Sequence, residues 1–368
     1  VTSIPLSSSI ALPQSPAAKV TVNYSLIIVS YNSRVYLQEC LSSVLATTGP
    51  NCEILLVDNA SGDGSADFVA QNFPEVSLIR NPRNSGFAAA NNQAARLAQG
   101  RFIVALNPDT KVSAGWLEAL LEPFANDPAV GLTTPKILML NNPAKVNTCG
   151  NSMHYSGLTT CRGLGFSADT LELAQSCEVS AVSGACFVIR RELWETLGGF
   201  DETFFTYLED TDLSLRARLA GYKSQYMSQA VVYHDYANRF SPAKIYYLER
   251  NRLLMLGKSF ELKTLLWLLP ALLLTELITW GYALLNGWAG AKAKIRAYLW
   301  LLQNLEVIRE KRCASQLLRR VSDKVLLDNC AVKLDISQLA GPKLGKLAGF
   351  TVNPFYRVWF GLTHWFVS

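Results

Sequence analysis

Residues 204–216 read Phe-Phe-Thr-Tyr-Leu-Glu209-Asp210-Thr-Asp212-Leu-Ser-Leu-Arg216, three carboxylates within four positions among aromatic and aliphatic neighbours. Acidic side chains in a first turn cap a helix and favour its dipole, which accounts for one or two of them. A partly desolvated carboxylate in such a place also suits general-base work. Only three histidines occur, at 154, 234 and 364. His234 sits in Val-Val-Tyr-His-Asp (231–235), leaving an expected strand, and reads either as a structural hydrogen-bonding residue or as a metal ligand. His154 reads as a loop residue and His364 as part of an aromatic tail.

Four further polar clusters follow apolar runs: Ser30-Tyr31-Asn32, Asp58-Asn59, the stretch 81–86 with Asn84 and Gly86, and Asn107-Pro108-Asp109. Each alone reads as a turn. The runs before them, 24–31, 53–58, 76–80 and 101–106, are β-rich. They alternate with helical spacing over 35–45, 65–73 and 88–98. A β-α-β-α-β-α-β alternation implies a parallel α/β sheet, whose ligands bind at the carboxyl ends of the strands. All four clusters then share one edge. No Gly-x-Gly-x-x-Gly follows the first strand and no P-loop occurs, so a nucleotide must be held by side chains and a metal.

A helix is expected at 116–124, loops over 141–180, a strand at 185–190, a helix at 213–220 and a strand at 226–233. The first 22 residues, rich in Ser and Pro, read as a flexible tail. They lack the basic and apolar regions of a signal peptide, which suggests a cytoplasmic front half. Eight scattered cysteines without a Cys-x-x-Cys pair fit reduced thiols better than zinc fingers or a disulfide scaffold. The 368 residues carry a formal charge of +5, unevenly. Residues 244–368 hold 18 Lys+Arg against 8 Asp+Glu, and residues 1–243 hold 16 against 21. A basic, Leu-rich back half points to an anionic membrane surface and not to nucleic acid. The stretch 265–285 contains one charge, Glu276, and one proline, Pro270; 295–308 is a second apolar stretch. Twenty-one residues would cross a bilayer core. Basic flanks on both sides, Lys258 and Lys263 against Lys292, Lys294 and Arg296, favour a re-entrant or interfacial arrangement by a narrow margin.

As a set, VSYNS (29–33), VDNASGDGS (57–65), NPRNSGFAAANN (81–92), NPDT (107–110), SGACFVIRRELWETLGGFDETFF (183–205) and EDTDLSLR (209–216) resemble the family 2 glycosyltransferases of GT-A fold. The nearest branch is similar to bacterial rhamnosyltransferases of surface polysaccharides. The resemblance implies an α/β catalytic domain over 23–260, followed by an apolar, basic helical region over 261–368. It implies inverting transfer of a sugar, best matched by rhamnose, from a dTDP-, UDP- or GDP-linked donor. The acceptor it implies is a glycan or lipid-linked glycan at the cytoplasmic face of the cell membrane. By the same resemblance, Ser30, Tyr31, Asn32 and Asp58 hold the base and ribose. Asn84, Gly86 and Asn107 lie along the donor pocket, and Gly184 and Ala185 line the acceptor side. Asp109 and His234 hold a Mg²⁺ or Mn²⁺, and Asp210 is the base within the group Glu209, Asp210 and Asp212. Many members carry Asp-x-Asp where this chain has Asn107-Pro108-Asp109, which gives His234 more weight. Two other readings remain: a non-catalytic glycan-binding or scaffold protein on a transferase fold, and a nucleotidyltransferase.

Overall fold

The computed structural model describes residues 22–236, 241–338, 341, 345 and 349–367. The tail expected at 1–22 lies outside the described residues except for its last position. Strands β1 (Tyr24–Ser30), β2 (Cys52–Asp58), β3 (Val76–Arg80) and β4 (Phe102–Leu106) alternate with helices α1 (Arg34–Thr47), α2 (Ser65–Asn72) and α3 (Phe87–Leu97). The four strands pair in parallel in the order β3-β2-β1-β4. Their carboxyl ends therefore share one edge, as the alternation predicts. β1 and β4 are buried along almost their whole length, which is why they read as unbroken apolar runs. α3 buries Ala88, Ala90, Ala94 and Ala95, side chains small enough to bring it close onto the sheet.

Past β4 come β5 (Thr110–Val112), α4 (Trp116–Asn126), β6 (Val130–Met139), β7 (Asn142–Thr148), β8 (Asn151–Met153), β9 (Thr159–Cys161) and β10 (Cys177–Val179). The loops expected over 141–180 are thus corrected to four short strands. β7 pairs with β6, β10 pairs with a later strand at Lys223–His234, and β8 and β9 form their own two-stranded sheet. Their polar, turn-rich composition hides them, because partner strands and not apolar alternation hold them. β11 (Cys186–Arg190), α5 (Arg191–Leu197), α6 (Glu209–Leu219) and β12 (Lys223–His234) complete the sheet. Its order is β10-β12-β6-β11-β4-β1-β2-β3, and antiparallel β11 links the two parallel groups.

The remaining helices are α7 (Pro242–Ser259), α8 (Leu262–Leu285), α9 (Gly287–Gln303), α10 (Leu305–Leu317), α11 (Asp323–Asp328) and α12 (Asn353–Phe366). They are not a detached appendage. One apolar cluster joins Tyr155, Phe204 and Leu215 to Leu254, Leu268, Leu326 and Tyr356. All eight cysteines are free thiols.

Candidate active site

Two adjoining cavities open at the carboxyl edge of the parallel strands. The first, about 360 Å³, is lined by Tyr31, Asn59, Asn84, Gly86, Asn107 and Asp109. The second, about 300 Å³, is lined by Asn107, Gly184, Ala185, Glu209, Asp210 and His234, among others. Asn107, Phe87 and Thr206 line both. Ten of the fourteen residues singled out from the sequence thus come together on one cleft, from segments as far apart as 31 and 234.

The other four do not line it. Ser30 and Asp58 are register partners at the ends of β1 and β2, and both are buried. Asp58 Oδ2 accepts the Ser61 N–H (3.1 Å), while Asp58 Oδ1 and Ser30 Oγ accept or donate no hydrogen bond. Asn32 lies in the left-handed region (φ 53°), and its Oδ1 accepts the Gly62 N–H at 2.8 Å, so its side chain locks two strand-end turns together. Asp212 is the clearest correction. It faces away from the cleft, fully buried, and pairs with Arg216 Nε (2.7 Å) and Lys258 Nζ (2.8 Å). Two residues beyond Asp210 on a helix the side chain points about 200° round the axis, into the core. There two cations hold it.

Glycine is required at Gly86, where at φ +87° a Cβ would sit 2.5 Å from Phe205 Cδ2; a Cβ on Gly184 would lie 3.3 Å from Asp210 Oδ2, a tight contact. Gly184 is thus where the backbone approaches the carboxylate, and its N–H donates to Asp210 Oδ2 (2.7 Å). Asn151 Nδ2 donates to the same oxygen (3.1 Å), and the Thr211 N–H donates to Oδ1 (2.6 Å). Burial raises the Asp210 carboxyl above its usual range, against these donors. Glu209 is more deeply buried and its Oε2 has no hydrogen-bond partner. Burial first, then the charges of Asp210 and Asp212, push it up to about 8.

That shift has a measurable consequence. Folded Glu209 keeps a proton that the unfolded chain releases near its ordinary value of 4.5, so stability falls as pH rises from there through about 8. Glu209→Gln removes the ionisation. Its melting temperature is expected to fall less than the parent's over that window and to exceed it above pH ~8, by roughly 2–4 °C per kcal/mol recovered. Melting curves of both proteins across the pH range check this.

At the other wall, His234 Nε2 and Asp109 Oδ1 lie 3.3 Å apart. His234 Nδ1 lies 2.8 Å from Asn147 Oδ1. With that amide oxygen accepting, Nδ1 donates and Nε2 is turned toward Asp109. Asp109 Oδ1 is buried and accepts no hydrogen bond. A carboxylate oxygen without a donor beside an imidazole nitrogen is a pair that suits a cation. Among the described residues no third His, Cys, Asp or Glu joins them.

Asn59, legible only as part of a polar strand-end cluster, ties the donor side together: its Nδ2 donates to Asn84 Oδ1 (2.9 Å) and to the Gly86 carbonyl (3.2 Å), and its Oδ1 accepts the Ser85 N–H (3.0 Å). Other residues of the site carried no readable signal. Asn147 and Asn151 belong to the stretch read as loops, and nothing in the chain announces their partners 87 and 59 residues away. The turn before Glu209 holds three non-glycine residues at positive φ: Phe205, Tyr207 and Leu208. Such backbone persists only where its surroundings over-determine it. Here α7 does so. Asn251 Nδ2 donates to the carbonyls of Phe204 (3.1 Å), Thr206 (2.9 Å) and Tyr207 (2.7 Å), and Arg250 donates to those of Thr203 and Phe204. Asn251→Ala leaves the Thr206 and Tyr207 carbonyls without their donor, while Arg250 still meets that of Phe204. It is expected to cost about 2–5 kcal/mol of stability at the usual price of buried unmet groups, and to depress catalysis by freeing the turn. Thermal melting and turnover on one preparation check both.

The model of glycosyl transferase family 2 matches residues 25–198. An N-acetylglucosaminyl-diphospho-decaprenol L-rhamnosyltransferase of Mycobacterium tuberculosis is 28% identical over 236 residues, covering 58% of this chain and 76% of that protein. A pre-mycofactocin glycosyltransferase of the same organism is 30% identical over 236 residues, covering 63% of this chain and 46% of that protein. Among solved structures, GalNAc-T7 with UDP, GalNAc and Mn²⁺ superposes with a TM-score of 0.54 at 20% identity, over 65% of this chain and 48% of that one. S. aureus TarS 1–349 in complex with UDP-GlcNAc superposes with a TM-score of 0.53 at 16% identity, over 92% of this chain and 90% of that one. These two share the fold. The segment 25–198 is thus a glycosyl transferase family 2 domain, and the chain that carries it is a glycosyltransferase.

Proposed function

We propose that the protein transfers a sugar, with inversion, from a nucleoside diphosphate donor to a hydroxyl of a lipid-linked or cell-surface glycan. The observation that carries this reading is the single cleft with Asp109 and His234 on one wall and Asp210 on the other, sharing Asn107. Tyr31, Asn84, Gly86 and Asn107 take the donor. Ser30 and Asp58 are buried at the ends of β1 and β2, each with one side-chain oxygen that has no hydrogen-bond partner, and a donor's base or ribose reaches them only if the strand-end turns part. Asp109 and His234 suit a divalent ion. Mg²⁺ or Mn²⁺ bound there would neutralise the diphosphate as the glycosidic bond breaks. With two protein ligands, the remaining positions belong to donor oxygens and water.

Asp210 accepts the acceptor hydroxyl's proton while that oxygen bonds to the anomeric carbon and the nucleoside diphosphate departs. One displacement inverts the centre. Gly184 and Asn151 hold the carboxylate in place, and Gly184 and Ala185 border the acceptor's path. The rhamnosyltransferase relative supports dTDP-rhamnose as the donor. Residues 23–260 act as the catalytic domain. Residues 261–368 form the helical region that attaches it to the cytoplasmic face of an anionic membrane, in keeping with its 14 Lys+Arg against 7 Asp+Glu.

A panel of nucleotide sugars, with product mass and anomeric configuration, tests this. Rhamnosyl transfer with release of dTDP is expected. Transfer from another donor redirects the donor assignment, pyrophosphate release would indicate a nucleotidyltransferase, and no turnover a scaffold.

A further inference from the structure

We infer that α8 lies in the plane of a bilayer surface instead of crossing it, with α12 beside it, a reading that rests on the membrane attachment proposed above. Among the described residues α8 is the one helix long and apolar enough to span a bilayer. Its two faces differ in burial but not in polarity. Leu268, Ala271 and Thr275 are buried against the protein, whereas Leu266, Leu269, Leu273 and Leu277 stand 72%, 48%, 58% and 72% exposed. At 100° per residue the exposed four cluster opposite the buried three. A helix serving only as core would not leave such a stripe in water.

Glu276, midway along α8, decides between spanning and lying flat. It pairs with Arg252 of α7 and with Lys294 of α9 (3.0 Å), and accepts from Tyr298. Glu249 of α7 closes the group, 2.5 Å from Arg252 and 2.9 Å from Lys294. A crossing α8 would carry all four charges to the bilayer midplane or tear the set apart, and leaving a buried charge without its partner is among the costliest changes in a fold. The adjacent residues of α7, Arg250 and Asn251, hold the turn before Glu209, so α7 cannot follow α8 into lipid without dismantling the site. The midpoint of α8 therefore stays level with the catalytic domain.

What remains is contact by the outward face. α12 is tied to α8 through Trp359 Nε1, which donates to the Trp267 carbonyl (2.7 Å), and through Thr275 and Tyr356 (2.7 Å). It presents Leu362 and Trp365 outward. Lys263, Lys292, Arg296 and Arg357 are exposed on the same helices and α9, the charge an anionic headgroup layer attracts. Apolar stripe, tryptophan and basic rim together suit an interfacial helix embedded about 5–10 Å deep.

The test uses the full chain in sealed vesicles with the cytoplasmic face outward, from cells making Lys263→Cys or Lys292→Cys, and a membrane-impermeant maleimide. Both positions are expected to react before detergent is added, above the parent's own background. Protection of position 292 until lysis would overturn the in-plane arrangement while leaving attachment intact. A protein absent from the vesicles and indifferent to phosphatidylglycerol liposomes would instead overturn attachment itself. In a companion variant, Leu266→Glu with Leu273→Glu and Leu277→Glu, the vesicle-bound share is expected to drop more than about tenfold, with an unchanged melting temperature. Retained binding at unchanged stability would show that this face is not the one in contact.

Discussion

Asp210→Asn is expected to lower the rate of sugar transfer by about 10²–10⁴, the usual worth of a general base, while donor binding and fold persist. The amide is the same size, so Gly184 and Asn151 still bracket the side chain, although its NH₂ group then meets either those two donors or the Thr211 N–H. It has no basic oxygen to accept the incoming hydroxyl's proton. Asp212→Asn makes the contrast. That carboxylate answers Arg216 and Lys258 in the core, so its loss costs about 3–5 kcal/mol of stability as an orphaned buried charge. Turnover per folded molecule should stay close to the parent's. Rapid-quench transfer rates, donor titrations and melting curves on both variants separate the two residues. Transfer by Asp210→Asn within tenfold of the parent would remove Asp210 from the mechanism and turn attention to Glu209, the other carboxylate on the cleft.

Asp109→Ala and His234→Ala are each expected to weaken metal-dependent donor binding and to cut transfer by at least ~10², since such an ion is worth several kcal/mol to a departing diphosphate. Chelation with EDTA should abolish transfer in the parent. The two side chains are the only carboxylate and imidazole facing each other there, so no neighbour among the described residues substitutes for either. Asn147→Ala should have a milder effect, ~10–100-fold in metal affinity, because it orients the imidazole without touching the ion. Mn²⁺ titrations followed calorimetrically, with and without nucleoside diphosphate, give the readout. Full activity of His234→Ala at limiting Mn²⁺ would return that histidine to a structural role.

Much of this was written along the chain. The alternation from β1 to β4 is visible because buried parallel strands are apolar throughout and the helices between them keep a regular period. Their carboxyl ends then had to share an edge, which made Tyr31, Asn84, Gly86, Asn107 and Asp109 neighbours before any coordinates. The acidic group at 209–212 and His234 were equally legible as residue types. Only the tertiary structure decided which carboxylate faces the cleft. Asp210 and Asp212 are alike in sequence, and the helical turn sends one to the cleft and the other to Lys258 and Arg216. The asparagines that hold the site were hidden for a related reason. A side-chain amide acquires its meaning from its partner, and His234 for Asn147, Asp210 for Asn151 and Tyr207 for Asn251 lie 87, 59 and 44 residues away. The apolar stretch 265–285 shows the same division. Composition makes it long and greasy enough to cross a membrane, but its orientation depends on what Glu276 touches. That was settled by packing, because a charge in an apolar helix goes where opposite charges already stand, here on α7 and α9.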